Sequence, residues 1–195
     1  MTHIYPGMGA NSEMYGPHWR VQVPGHYHDW PVWNGESSIY DWALRLIDEH
    51  SIQDGDTLIG SSLGGIIACE IAKIRSIHRT ILIGSACKQG EIHGLLKILH
   101  PLVDLTPIAF VKACAGKIPA DLCQMFAVSD PAFIRAMSKA IFQWQGALPS
   151  QPIFRIHGRD DRVIPLPAGI DCVISGGHLI AMSHPEACIE ALGVS

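Results

Sequence analysis

The stretch Thr57-Leu58-Ile59-Gly60-Ser61-Ser62-Leu63-Gly64-Gly65-Ile66-Ile67-Ala68 limits what this chain can fold into more than any other part of it. An apolar run ends in a turn of small residues, and the apolar spacing then becomes helical, through Ile66, Ile67, Cys69 and Ile71. The pattern predicts a buried strand, a tight turn carrying a serine, and a helix. Gly60-Ser61-Ser62-Leu63-Gly64 fits the spacing G-x-S-x-G with Ser62 at its centre, whereas Ser61 fails because Ile59 lies two positions before it. The glycines answer a steric demand. A serine pushed out of a strand-to-helix turn brings its flanking residues against neighbouring backbone, where Cβ atoms would clash. The same turn sets Ser62 at the positive end of the helix, where outward-pointing N–H groups stabilise developing negative charge.

The rest of the chain alternates strands and helices. Thr2-His3-Ile4-Tyr5 reads as a short strand running into the small-residue turn Pro6-Gly7-Met8-Gly9-Ala10-Asn11-Ser12. That turn is either a surface loop or the source of an oxyanion donor, the Met8 N–H, acting with the Leu63 N–H. Trp19-Arg20-Val21-Gln22-Val23 is predicted as a second strand, ended by Pro24-Gly25. His26-x-His28-Asp29 has the look of a zinc-binding fragment, but no further ligand cluster is evident and Trp30-Pro31 follows at once, so a polar loop at a pocket rim is the better reading. A helix is expected from Ser37 or Ser38 as cap to His50-Ser51, and Arg79-Thr80-Ile81-Leu82-Ile83 is another apolar strand. Such alternation calls for right-handed crossovers and a mainly parallel sheet with helices on both faces, hence an α/β fold.

From about residue 88 to 150 the pattern is helical without strands, an insertion expected to lie as a lid over the carboxyl edge of the sheet. Leu95 to Val103 makes one apolar stripe, Thr106-Pro107 starts another helix that Gly116 ends, and Ser129-Asp130-Pro131 starts a third. In that third helix Phe133, Ile134, Met137, Ala140, Ile141 and Trp144 recur at helical spacing, and Gly146 closes it. Ile153 to Ile156 resumes the sheet, Asp171 to Ile174 is a last short strand, and Pro185 to Leu192 is the closing helix.

In a parallel sheet, residues just past the carboxyl ends of different strands meet in space. Ser62, Asp161 and His178 each stand at such a position, in the order nucleophile, acid, base. Here the chain resembles the α/β-hydrolase superfamily over nearly its full length. Gly60 to Gly64 looks like that family's nucleophile turn, His157-Gly158-Arg159-Asp160-Asp161-Arg162-Val163-Ile164-Pro165 is similar to its acid loop, and Gly177-His178 matches its histidine loop. By that likeness Asp161 and not Asp160 carries the acid role, while Asp160 is a solvated neighbour balanced by Arg159 or Arg162. His157 orients backbone and does not react. His3, His18, His50, His78, His93, His100 and His184 show no partner in the sequence.

Two departures stand out. Pro6 precedes Gly7 where the family's oxyanion loop opens with His-Gly, and the amino-terminal strands of the sheet are trimmed, because the chain starts at the loop-bearing strand. Asp130-Pro131-Ala132-Phe133, with Ala140-Ile141 and Trp144, resembles the lid of small bacterial members. The resemblance implies a serine hydrolase that cleaves a carboxylic ester through an acyl-enzyme and needs no cofactor. Two alternatives stay open: a ligand-binding protein that keeps the triad without turnover, and a thioesterase or C–C bond hydrolase that uses the same three residues.

Composition narrows the class of partner. With 195 residues, 48% of them hydrophobic and 16% charged, the chain is expected to be one compact domain. A net charge of -4 without a basic run argues against nucleic acid, leaving a small molecule, with an apolar acyl ester favoured by the Leu, Ile, Phe and Met of the lid. The start, Met1-Thr2-His3-Ile4-Tyr5-Pro6-Gly7, lacks the features of a signal peptide and no stretch has membrane-spanning length, so a cytoplasmic protein is expected. Cys69, Cys87, Cys114, Cys123, Cys172 and Cys188 have no C-x-x-C spacing and read as reduced, mostly buried thiols.

Overall fold

The computed structural model of the chain describes residues 1–92 and 130–193. Strands β1 (Thr2–Tyr5), β2 (His26–Tyr27), β3 (Thr57–Ser61), β4 (Arg79–Ile83), β5 (Ile153–Gly158) and β6 (Cys172–Ile174) form one sheet in the order β2-β1-β3-β4-β5-β6. Every pairing in it is parallel. Parallel neighbours need a crossover on one face or the other, and among the described residues six α-helices supply the cover. They are α1 (Pro17–Gln22), α2 (Ile39–Glu49), α3 (Leu63–Ile74), α4 (Pro131–Gln143), α5 (Ile180–Ser183) and α6 (Pro185–Ala191). Among the described residues no helix is long and apolar enough to cross a membrane.

Because strand side chains alternate between faces, each strand feeds two cores. Tyr5, Leu58 and Leu82 point to the side covered by α2, α3 and α4, where they pack with Trp42, Leu46, Ile66, Phe133 and Ile141. Ile4, Ile59, Ile81 and Ile83 point to the other side, against Trp19 of α1, Ile180 of α5 and Cys188 of α6. Both faces are thus dry, which is why the strands read as near-continuous apolar runs.

Local signals fixed several boundaries. The Ser38 hydroxyl caps α2 by accepting the Asp41 N–H at 3.0 Å. The Asp130 carboxylate does the same for α4 through the Ala132 N–H at 2.8 Å, with Pro131 at the first helical position. That helix ends at Gln143, and Gly146, at φ +88°, shapes the turn after it. The apolar face of α4 is core: Phe133, Met137, Ala140 and Ile141 are buried, and the Trp144 indole donates to Glu70 at 2.7 Å. The stripe Leu95–Val103, the Thr106-Pro107 start and the Gly116 stop lie outside the described residues.

Two assignments need correction. Trp19–Val23 is no strand; Pro17–Gln22 is helical. Val21 is 76% exposed while Trp19 and Val23, four residues apart, are both buried. Spacing of four places them on one side of a helical turn, and Pro17 starts it. The second strand is instead the two-residue edge β2 in the stretch read as a polar loop, with His26 paired to His3 and Tyr27 to Ile4.

The histidines without visible partners also find some. His3 Nε2 lies 3.2 Å from Asp56, its Nδ1 lies 2.9 Å from His28 Nε2, and His50 Nδ1 lies 2.9 Å from the Tyr5 hydroxyl. His28 stacks on His50 with ring centroids 3.8 Å apart. The amino-terminal ammonium closes this group by pairing with Asp56. Burial, reinforced by the neighbouring His50, His3 and His26, pushes His28 down to about 3. The stack therefore holds His28 as a neutral ring.

Further along the same face of the sheet, Arg155 of β5 is buried and pairs with both carboxylate oxygens of Glu91, at 2.8 and 3.1 Å. Glu91 also accepts the Cys87 N–H at 2.9 Å, so the segment after β4 is tied to β5 from below. Cys69, Cys87 and Cys188 are buried free thiols and Cys172 is half-buried; Cys114 and Cys123 lie outside the described residues.

Candidate active site

The site starts from a strained turn. Ser62 sits at φ 51°, ψ −115°, a conformation disfavoured for any residue with a Cβ and worth of order 1–3 kcal/mol. It persists because its surroundings leave no alternative. A Cβ on Gly60 would fall 2.2 Å from the Gly64 carbonyl carbon, and one on Gly64 would fall 2.6 Å from the carbonyl oxygens of Tyr5 and Pro6. Strand, turn and helix are so close that only these glycines fit. The Ser62 N–H donates to the Ile83 carbonyl at the end of β4, and its own carbonyl accepts the Ser85 hydroxyl at 2.6 Å. Ser85 was not singled out in the sequence, although its place just beyond β4 is the kind of position where such partners collect.

Asp161 and His178 come from the loops after β5 and β6. His178 Nε2 is 2.9 Å from Ser62 Oγ, and His178 Nδ1 is 2.8 Å from Asp161 Oδ2. Ionised Asp161 can only accept, so Nδ1 carries the proton and Nε2 is left free to accept from the serine hydroxyl. The Asp161 side chain is fully buried, while His178 is 13% exposed.

Four donors converge on Asp161. The N–H groups of Val163 and Ile164 reach Oδ1 at 2.8 and 2.9 Å, and His157 Nε2 approaches Oδ2 at 3.2 Å beside the His178 contact. Burial alone would raise this carboxyl, but the hydrogen bonds from His157, His178 and the Ile164 backbone outweigh it and hold Asp161 well below the usual carboxylate range. His157 is itself placed by the Ile164 carbonyl at 2.8 Å, which shows its Nε2 to be the protonated nitrogen. It thus orients the backbone of the loop after β5, as read from the sequence, and in addition touches the Asp161 carboxylate. Asp160 is exposed and its backbone N–H bonds the Gly176 carbonyl.

Glycine also sets the distance between these loops. Gly84, at φ +55°, lets the chain after β4 pass under the histidine loop, where a Cβ would meet the His178 carbonyl oxygen at 2.8 Å.

The Pro6–Ala10 turn lies over the serine: a Cβ on Gly7 would sit 3.5 Å from Ser62 Cβ, and the Gly64 N–H donates to the Pro6 carbonyl at 3.1 Å. Neither the Met8 nor the Leu63 N–H has an acceptor among the described residues. Leu63 opens α3, so its N–H lies at the positive end of that helix. By contrast His26, His28 and Asp29 do not converge. Asp29 is committed to the Ser12 N–H at 2.7 Å, and His28 belongs to the histidine stack.

A serine on a strained turn, a histidine bridging it to a buried carboxylate, and all three at the carboxyl edge of a parallel sheet form a recognisable arrangement. The profile of the alpha/beta hydrolase family matches residues 4–191. The chain belongs to the alpha/beta hydrolase family. Among solved structures it is similar to an esterase from Thermogutta terrifontis, with 17% identity, TM-score 0.75, and coverage of 98% of this chain and 87% of that one. It is also similar to a hydrolase from Oleispira antarctica, at 16% identity and TM-score 0.79, covering 98% and 88%. An enol-lactonase from Burkholderia xenovorans LB400 aligns at 16% identity and TM-score 0.69, covering 98% of this chain and 89% of that one. At these identities the likeness is one of fold. No curated protein matches the sequence.

Proposed function

We propose that this alpha/beta hydrolase is a serine carboxylesterase in which Ser62 is the nucleophile, His178 the general base and acid, and Asp161 the group that holds the imidazole. The unbroken relay from Ser62 Oγ to His178 at 2.9 Å and from His178 to Asp161 at 2.8 Å is the observation that carries this reading.

As Ser62 Oγ attacks an ester carbonyl, its proton passes to His178 Nε2, and the ionised Asp161 stabilises the imidazolium. The oxygen that becomes negative is met by the N–H groups of Met8 and Leu63, each such donor contributing about 3 kcal/mol to the barrier reduction. His178 then returns the proton to the departing alkoxide, leaving an acyl group on Ser62. Water, activated by the same nitrogen, releases the acid. Every proton transfer uses a group of the chain or water.

An apolar acyl substrate is supported by Met8, Trp30, Phe133 and Met137, which belong to the same apolar cluster as Leu63 of the serine turn. The Ser138 hydroxyl of α4 approaches Met8 Sδ at 3.8 Å, so this helix borders the oxyanion loop. We assign residues 88–150 as a lid inserted in one catalytic domain. Two of the proteins of similar fold are named as an esterase and an enol-lactonase, which supports this choice of substrate class.

The test is hydrolysis of p-nitrophenyl butyrate by purified protein with multiple turnover, and its loss in Ser62→Ala. Equal rates in the two proteins would reject the assignment.

A further inference from the structure

Gly7 is gripped on both sides. Its N–H donates to Met14 Sδ at 3.3 Å, and its carbonyl accepts the Trp30 indole N–H at 2.9 Å and the Ala10 N–H at 3.2 Å. That carbonyl shares a peptide unit with the Met8 N–H. The unit is planar and trans, so its C=O and N–H point in opposite directions, and whatever fixes one fixes the other. A hydrogen bond on the carbonyl also polarises the amide and strengthens its N–H as a donor.

The two groups on the Gly7 carbonyl are not equivalent. Ala10 belongs to the same turn and moves with it, so it closes the turn without aiming it at Ser62. Trp30 comes from outside, after β2, and its ring is fixed on three sides, with centroids 6.0 Å from Tyr5, 6.4 Å from Trp42 and 5.7 Å from Phe133. The segment that carries it is pinned as well: the His28 N–H donates to the Ile4 carbonyl at 3.0 Å, and the Asp29 carboxylate accepts the Ser12 N–H at 2.7 Å.

We propose that Trp30 is a positioning residue for catalysis: by holding the Gly7 carbonyl, its indole N–H aims the Met8 N–H at the oxyanion formed over Ser62. The proposal rests on the assignment of Ser62 as acyl-forming nucleophile. It also makes Phe133 of α4 a structural link between the lid region and the oxyanion loop, through its tilted contact with the same indole.

Trp30→Phe keeps an aromatic ring in the stack and removes the N–H donor together with the second ring of the indole. An oxyanion donor is worth about 10²–10³ in kcat, and a misaimed one loses part of that. The expected result is a kcat for p-nitrophenyl butyrate lower by about 10-fold or more, with KM changed less than about two-fold. The rate at which an alkyl fluorophosphonate labels Ser62 should fall in parallel, because phosphonylation develops negative charge at the same place.

A ring with a purely structural role would give a lower thermal midpoint, or a change in KM, with kcat and labelling rate intact; that outcome overturns the proposal. If the phenylalanine variant fails to fold, benzothienylalanine incorporated at position 30 keeps the bicyclic shape without the N–H and is held to the same criteria. Failure of the underlying assignment looks different: Ser62→Ala would hydrolyse ester at the wild-type rate, or the probe would label another residue.

Discussion

Replacing Asp161 by Asn changes one atom and asks whether the carboxylate sets the state of the histidine. In the native site all four neighbours of Asp161 are donors: the Val163 and Ile164 N–H groups at Oδ1, and His178 and His157 at Oδ2. A carboxamide can satisfy only half of them. With its oxygen kept on the two backbone N–H groups, its NH₂ faces His178 Nδ1, and the ring can accept that donor only by moving its proton to Nε2. Nε2 then donates to Ser62 Oγ and cannot take the serine proton. The barrier should rise by about 4–5 kcal/mol, a fall in kcat of roughly 10³–10⁴, as in triads of this geometry.

Folding should suffer less. The loss of charge-assisted hydrogen bonds to a buried carboxylate is about 2 kcal/mol, or roughly 4–8 °C in Tm for a chain of this size. The assay is initial rate on p-nitrophenyl butyrate together with a thermal melt. A variant that keeps more than about a tenth of the wild-type kcat would refute the reasoning that Asp161 fixes the His178 tautomer.

Other expectations concern stability. Glu91→Ala leaves the buried Arg155 guanidinium without its carboxylate and should destabilise the fold by about 3 kcal/mol, read from urea unfolding midpoints; a change below about 1 kcal/mol would mean that Arg155 is rehydrated at little cost. Acid should weaken the fold through the histidine stack. His28 is held down to about 3 when folded against 6.5 when free, so the unfolded chain takes up the proton first. That stability is complete above about pH 6.5 and is lost as pH falls toward 3, under about 1 kcal/mol per pH unit once solvent screening of this half-buried ring is allowed for. The groups facing it are His3, His26, His50 and Tyr5, with Asp56 and the terminal ammonium one contact further on. His28→Gln should narrow the difference in unfolding midpoint between pH 7 and pH 5, and an unchanged difference would exclude His28 as its source. Asp161, held below the free value of 3.8, adds stability that is present above about pH 4 and fades below it.

Much of the fold was legible because its signals are local. Gly60 and Gly64 around Ser62 state a close approach of strand and helix, Asp130-Pro131 states a helix start, and the apolar runs at Leu58 and Ile81 state strands buried on both faces. Asp161 and His178 were placed by order and by family resemblance, since nothing in residues 116 positions from Ser62 says locally that a ring nitrogen will reach its hydroxyl. The misread segment is equally instructive. Trp19, Val21 and Val23 satisfy a period of two, and only burial shows that positions 19 and 23 form the pair that matters. The strand β2 was missed because two residues at a sheet edge carry no period at all.

Long-range polar partners were invisible for the same physical reason. The contacts of His3 with Asp56, of Arg155 with Glu91 and of Trp30 with Gly7 join residues 53, 64 and 23 apart, and each depends on the strand order. Trp30 is the telling case. Its indole N–H falls on the one carbonyl that shares a peptide with Met8, a coincidence that exists only once β1 and β2 lie side by side.

Catalysis by this triad requires that the Ser62 hydroxyl become acylated during turnover. Wild-type protein mixed with p-nitrophenyl butyrate, quenched in acid and mapped by mass spectrometry should carry one butyryl group on the peptide containing Ser62, and Ser62→Ala should carry none. Hydrolysis without such an adduct under conditions where deacylation limits the rate, or an adduct on Ser61 or any other residue, would contradict it.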